Sequence, residues 1–305
     1  MLNIFSLTYL GLGATIGGGV FTLSGIAAKK AGSDVWISWI ISGVVVLFSA
    51  FVYAELSTKI QKSGSSYIYT YIISGELIAF MTAWNMFMLY GGATGAQSQA
   101  FTSFFLGFMK HNEIYDYVPV FLSEAYVGNR RVYPIAAIFI ALSAFVITLG
   151  SKKSDITNRI ITLGKILLIV LLNYVSFQHQ DPKYFKEPIN QPLEKKFEGI
   201  LEGATLTYFG FTAFETGSTM TAEAINPKRD IPRAIIFTVI LCIILYTVTS
   251  VSVLGIGIAE ASVHHDADTA LAIAYKLIGV SWMAQVVYVA AMLGVSACSI
   301  ANLMV

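Results

Sequence analysis

Long apolar runs with almost no charge constrain this chain more than any other feature. A helix needs about 20 predominantly apolar residues to cross roughly 30 Å of hydrocarbon. Runs of that kind cover Leu7–Ala28, Val35–Ala54, Leu77–Met109, Val132–Gly150, Ile160–Phe177, Gly203–Ala222, Ala234–Ala259 and Leu277–Val305. Two of them hold one charge each, Lys165 and Glu215. The 305 residues are 56% hydrophobic and 12% charged, against about 25% charged in soluble domains. The expectation is an all-α, multi-pass membrane protein of about eight helices, forming one domain over 1–305.

Other classes are excluded by what is missing. The N-terminus has no basic segment and no A-x-A site, so the first run reads as its own insertion signal. Cys242 and Cys298 both lie in apolar runs, which argues against a disulfide framework. The net charge of +1 gives no sign of nucleic-acid binding. His111, His179, His264 and His265 fall in loops, and no metal cluster is read from them. With the N-terminus inside, the short inner loops hold Lys59, Lys62, Lys152, Lys153, Arg159, Lys228, Arg229 and Arg233. That follows the positive-inside rule, with Lys29 and Lys30 against it. Segments 110–131 and 176–199 read as solvated outer caps, and Thr58–Glu76 as an amphipathic segment at the interface, re-entrant or on the surface.

The first run contains GLGATIGGGVF, from Gly11 to Phe21. Each glycine weakens a helix by about 1 kcal/mol relative to alanine, so a plain span would not accumulate five. The spacing misses the dinucleotide fingerprint, and no G-K-[ST] follows. Close helix packing through small residues is one reading. The other is a discontinuous helix, opened at Gly17, Gly18 and Gly19. Freed N–H groups would face a carboxylate and freed carbonyls an ammonium, which is tolerable only where the backbone lines a cavity.

A second interrupted helix is expected in TYFGFTAFETGSTMTAEAINPKRDIPRAI, Thr207–Ile235. Gly210 and Gly217 bracket Glu215 there, and a carboxylate inside a span is a functional residue or a packing partner. Pro227 and Pro232 read as a helix stop and restart. Lys165 lies about two turns inside its span, roughly 10 Å from the inner end at 1.5 Å per residue. It either snorkels to the surface or loads and releases a proton.

Together these stretches resemble the amino acid–polyamine–organocation transporter superfamily, in its cationic amino acid transporter-like branch. GLGATIGGGVF is similar to the first-helix motif of that family. FVYAELSTKIQKSGSSYIYTYIISGELIAFMTAWN is similar to its helix 2–3 segment, and FGFTAFETGSTMTAEAINPKRDIPRAI to its helix 6–7 segment. The resemblance implies a five-plus-five inverted repeat with discontinuous helices 1 and 6. The first repeat would cover about 7–178 and the second about 200–305, ending in helix 8 with helices 9 and 10 absent.

The resemblance further implies that Gly17, Gly18 and Gly19 receive a substrate α-carboxylate. The carbonyls of Thr15, Phe209 and Thr212 would receive its α-ammonium, and Phe209 would gate the site. Ala213 replaces the usual glycine in the helix-6 break. Lys165 matches the helix-5 lysine of proton-coupled members, Glu215 an acidic position tied to pH response, and Ser296 and Ser299 its hydroxyl neighbours on helix 8. Leu89 stands where some cationic-substrate relatives carry an acidic or polar side chain, which leaves a neutral amino acid open.

The implied function is secondary transport of amino acids across a membrane by alternating access, driven by protons or by exchange. No enzymatic chemistry and no cofactor beyond a coupling proton is expected. The partners would be an amino acid and the lipid bilayer, in a plasma membrane or an endomembrane. A non-transporting membrane protein or regulatory fragment is the alternative.

Overall fold

In the computed structural model, residues 3–123, 125–127, 130–148, 151–186, 193–219, 221 and 224–304 are described. The apolar runs correspond to helices. Helix α1 (Ile4–Thr15) and α2 (Gly19–Ala31) share the first run, and α3 (Val35–Lys59) forms the second. Next come α4 (Ser65–Ser74) and α5 (Glu76–His111), then the short α6 (Val120–Ser123), then α7 (Pro134–Thr148) and α8 (Ser151–Gln178). The short α9 (Lys183–Lys186) precedes α10 (Leu193–Tyr208) and α11 (Thr216–Thr219). Then follow α12 (Pro227–Leu254), α13 (Ile258–His264), α14 (Ala270–Leu277) and α15 (Ser281–Met304).

Among the described residues, three helical stretches are long and apolar enough to cross a membrane by length and composition: Gly19–Lys59, Pro227–Leu254 and Ser281–Ile300. Helix α1 falls short because its run is broken, leaving 12 residues before the interruption. Helix α5 has 36 residues, about 54 Å at 1.5 Å per residue.

Local sequence sets several boundaries. The Asn3 side chain caps α1 by accepting from the Ser6 N–H at 2.8 Å, which satisfies one of the orphan donors of a helix start. Gly75, at φ +85°, turns the chain from α4 into α5. Pro227 occupies the first turn of α12, where its missing N–H costs nothing.

Four expectations are corrected. Pro232 does not restart a helix; it lies inside α12. It sits close to the helix start, where only a near-surface hydrogen bond is lost. Segment 110–131 is not wholly loop, because Ala125–Val127 and Arg130–Val132 pair as a small antiparallel hairpin. The all-α expectation therefore needs that exception. Segment 176–199 is more than a solvated cap: the Asp181 N–H donates to Gly255 O at 2.9 Å, and Tyr184 fills the space beside Gly257. Lys152, Lys153 and Arg159 belong to the first turns of α8 rather than to a loop, and their side chains lie outside the described residues.

A core of buried apolar side chains that includes Trp39, Phe21 and Phe104 holds the helices together. Small hydroxyl residues line the helix contacts: Ser38 Oγ donates to Ile200 O at 2.9 Å, and Ser42 Oγ bonds Thr207 Oγ1 at 2.9 Å. Large apolar side chains face outward, with Phe48 at 68% and Leu167 at 66% exposure. A lipid solvent allows that arrangement, because tails are as apolar as leucine and small residues let helices approach. Helix α3 runs antiparallel along α12, since Trp39 meets Tyr246 and Gly43 meets Ile243. Helix α5 runs antiparallel along α15, with Gln97 at Cys298 and Gly107 at Tyr288.

Candidate functional site

The interruption between α1 and α2 is where the molecule concentrates unusual hydrogen bonds. Ile16, at ψ 78°, leaves the helix while its N–H still reaches Leu12 O. The Gly17 N–H then turns back to Thr15 O at 2.8 Å. In a continuous helix the carbonyls of Gly13, Ala14 and Thr15 would accept from the amides four residues on. The break removes those helical donors, leaving Thr15 O only the Gly17 N–H, and three side chains from distant helices reach the three carbonyls. Lys165 Nζ of α8 donates to Gly13 O at 2.6 Å. The Cys298 thiol of α15 donates to Ala14 O at 3.5 Å. The Tyr246 hydroxyl of α12 donates to Thr15 O at 3.0 Å. On the other side of the break, the amides of Gly18, Gly19 and Val20 open α2 and have no helical acceptor.

The second interruption lies opposite. Helix α10 passes into a tight turn at Phe209–Phe211, Thr212 goes extended at ψ 157°, and Ala213 takes φ +72° before α11 begins. A left-handed L-residue costs roughly 1–2 kcal/mol, so the turn holds alanine where glycine would be unstrained. The two breaks touch: a Cβ on Gly19 would lie 3.4 Å from Gly210 Cα. The Tyr246 hydroxyl also lies 3.0 Å from Gly210 O, so one phenol bridges both broken helices. Trp39 and Phe211 pack their rings on Tyr246 at 4.8 and 5.0 Å.

The glycines divide between two roles. Gly17 and Gly18 press against α15, where added Cβ atoms would come 2.9 Å from Cys298 and 2.0 Å from Val295 Cγ2. Gly294 returns the contact, its own Cβ position lying 3.0 Å from Gly17 O. This is close packing through small residues. Gly19 instead faces the second break.

Other sequence-derived positions fall as follows. Thr15 O carries two donors, Gly17 N–H and Tyr246 OH. Phe209 O accepts from both the N–H and the Oγ1 of Thr212, at 3.2 and 2.9 Å. Phe209 is half-buried, whereas Phe211 is the ring locked in the core. Lys165 does not snorkel: it has no exposed surface. Glu215 sits in the turn before α11 and accepts from the Tyr90 hydroxyl of α5 at 2.8 Å, apart from the Lys165 cluster. Leu89, beside Tyr90, is 47% exposed. Ser296 Oγ donates to Met292 O of its own helix at 2.7 Å. Ser299 Oγ and Thr15 Oγ1 are buried without a hydrogen-bond partner.

Sequence reasoning missed Tyr246, Cys298, Tyr90 and Gln97. One signal existed: Gly294 and Cys298 stand four apart on α15, a small-residue stripe suited to close approach.

Comparison with known proteins bears on what this arrangement is for. A family model described as amino acid permease matches residues 2–305. The chain is 32% identical over 300 residues to the branched-chain amino acid permease BcaP of Bacillus subtilis, covering 97% of this chain and 63% of that protein. It is 31% identical over 307 residues to the methylthioribose transporter of the same bacterium, covering 99% and 64%. It is 29% identical over 302 residues to the mitochondrial cationic amino acid transporter 3 of Arabidopsis thaliana, covering 94% and 47%. The chain thus spans about half to two thirds of the length of these relatives. They are permeases and transporters rather than enzymes. The chain belongs to the amino acid permease family of the amino acid–polyamine–organocation superfamily.

Proposed function

We propose that this integral membrane protein moves amino acids across the membrane by alternating access. The observation that carries the reading is the pair of touching helix interruptions, one of them capped by a buried lysine. Open backbone at that depth is stable only around a polar cavity or with side-chain partners. The free amides of Gly18, Gly19 and Val20 suit a carboxylate, since a helix start carries positive potential.

The proposal extends to architecture. Residues 7–178 form a first repeat and 200–305 a second, related as in a five-plus-five inverted repeat. Helix 1 of that scheme is α1 with α2, helix 5 is α8, helix 6 is α10 with α11, and helix 8 is α15. The packing of α3 on α12, and of break on break, supports it.

In this reading the α-carboxylate docks at Gly17–Gly19. The carbonyls of Thr15, Phe209 and Thr212 meet the α-ammonium once Thr212 and Tyr246 yield their bonds. Phe209 closes over the substrate beside the strained turn at Ala213. Lys165 carries the coupling proton, with Ser299 and Ser296 nearby on α15, and Glu215 modulates the response to pH. The coupling ion is the proton, and no other cofactor is invoked. The branched-chain and cationic relatives both fit the backbone site, and Leu89 favours a neutral side chain.

The test is radiolabelled uptake into proteoliposomes with and without an imposed pH gradient. Wild type accumulates substrate with the gradient. Lys165→Ala loses the gradient response and keeps exchange of one amino acid for another. Accumulation by the alanine variant that still follows the gradient would remove Lys165 from coupling.

A further inference from the structure

The start of α4 is fastened to the second break by contacts that the transport reading leaves unused. Ser65, its first residue, has no exposed surface, and neither has Ser218 of α11. Their hydroxyl oxygens lie 2.7 Å apart. Ser218 Oγ already donates its proton to Glu215 O at 2.7 Å, where the Ser218 N–H also donates. Ser65 is therefore the donor of the pair. The chain of hydroxyls ends on a carbonyl just past the left-handed turn at Ala213. Tyr53 of α3 wedges the same contact: its ring meets Phe214 at 5.5 Å and Tyr69 of α4 at 6.2 Å, and its hydroxyl bonds Ser66 Oγ.

Ser65 holds this place against its own backbone. Its φ is +46°, and that of Gly64 is +122°. Glycine adopts such angles freely, whereas an L-residue does not. Strain of this kind persists only where the surroundings over-determine it, and here burial and the bond to Ser218 do so. At its other end α4 stops at Gly75, with φ +85° and open space around it. Glycines that can absorb a change of direction thus bound the helix at both ends. Its hold on the second break is concentrated between Ser65 and Tyr69. The connection into α4 carries Lys59 and Lys62, and the helix after α11 opens with Lys228 and Arg229. The contact therefore lies toward the end that the positive-inside rule assigns to the cytoplasm.

We propose that Ser65 is a positioning residue for transport: its bond to Ser218 latches α4 onto the inner half of the second break, and parting of that pair opens the substrate path to the cytoplasmic side. The proposal rests on the alternating-access reading and names the contact that closes one side. Bond and strain oppose each other, so variants that remove one or both move the latch by different amounts.

Amide hydrogen exchange of the purified chain in detergent reads the latch directly. Ser65→Ala removes the bond and keeps the left-handed strain, so exchange across 213–219 should quicken about tenfold, the worth of one hydrogen bond. Ser65→Gly removes both and should quicken it less. Ser74→Ala, at the far end of α4, should leave it unchanged. Unchanged exchange in Ser65→Ala, or an equal change in Ser74→Ala, overturns the latch. Uptake into and efflux from proteoliposomes of one orientation give the functional reading. Release of the latch raises the inward-open population, so in Ser65→Ala the apparent KM at the inner face should fall several-fold while that at the outer face does not fall. KM values that change alike at both faces overturn the assignment, because general loosening acts on both. A wild-type chain that moves no amino acid from either face overturns the transport reading alone, since the exchange measurement needs no transport.

Discussion

Lys165 and Ala213 show how individual residues hold an unfavourable backbone in place. Removing the Lys165 ammonium leaves Gly13 O buried and bare, which costs about 1–3 kcal/mol. Lys165→Ala should therefore lower the melting temperature as well as alter coupling, and differential scanning fluorimetry separates the two effects. Ala213→Gly should do the opposite. It removes the left-handed strain at φ +72°, less the greater chain entropy of glycine, for a gain of up to about 1 kcal/mol. A melting temperature that falls in this variant would mean that the alanine methyl is needed for packing.

Asp268 gives a pH dependence outside the spans. Burial raises its pKa above the ordinary 3.8, the neighbouring Asp266 adds to that, and a hydrogen bond from Ser103 opposes it. A carboxyl raised in the folded state binds its proton more tightly there than in the unfolded chain. Its stabilising effect is full at pH values below the ordinary carboxylate range and is lost as pH rises through the folded value. Asp268→Asn should accordingly raise the melting temperature at neutral pH and leave it unchanged in acid. Equal shifts at both pH values would show that the charge of Asp268 is not the cause.

At the scale of elements, the contacts that matter are backbone on backbone. Gly25 of α2 lies so close to the turn before α14 that an added Cβ would meet Ala267 O at 2.1 Å. A carbonyl cannot rotate away as a side-chain tip can. Gly25→Ala should therefore cost about 1–3 kcal/mol or more, while Gly91→Ala, inside α5 with nothing near it, should stabilise by up to about 1 kcal/mol. Measured unfolding of the pair tests whether this turn is seated on α2.

The apolar runs foretold helices because hydrophobicity is a local property, and three helical stretches among the described residues are long and apolar enough to span. Leu277–Val305 corresponds to α15 and Val35–Ala54 to most of α3. The breaks were legible for the same reason, as glycine weakens a helix wherever it stands. The donors to the freed carbonyls were not, since Tyr246 reads as one more apolar position in CIILYTVTS. Its meaning comes from a residue 231 positions away. Pro232 misled because its effect depends on distance from a helix start, and the sequence does not mark that start sharply.

For the whole molecule, antiparallel packing of α3 on α12 puts Lys59, Lys62, Lys228, Arg229 and Arg233 at one end. The other end carries paired charges, Lys30 with Glu202 and Lys196 with Asp34, each at 2.9 Å. Those pairings show how Lys30 sits against the positive-inside trend without leaving an uncompensated cation. A membrane-impermeant thiol reagent should label Lys62→Cys and Lys228→Cys from one side, and Glu198→Cys from the other. The native Cys242 and Cys298 are buried and should stay silent. Labelling of all three engineered positions from one side would contradict this arrangement of ends.

The three carbonyls at the first break also set a timetable for biogenesis. Gly13 waits for a residue 152 positions later, Thr15 for one 231 later, and Ala14 for one 284 later. At a synthesis rate of 5–20 residues per second, the last partner emerges about 15–60 s after the first helix. Until then, opening the helix at the glycines would expose backbone that hydrocarbon penalises by several kcal/mol per group. A nascent first helix therefore keeps its own hydrogen bonds through the glycines and opens only as α8, α12 and α15 bring Lys165, Tyr246 and Cys298 to its carbonyls.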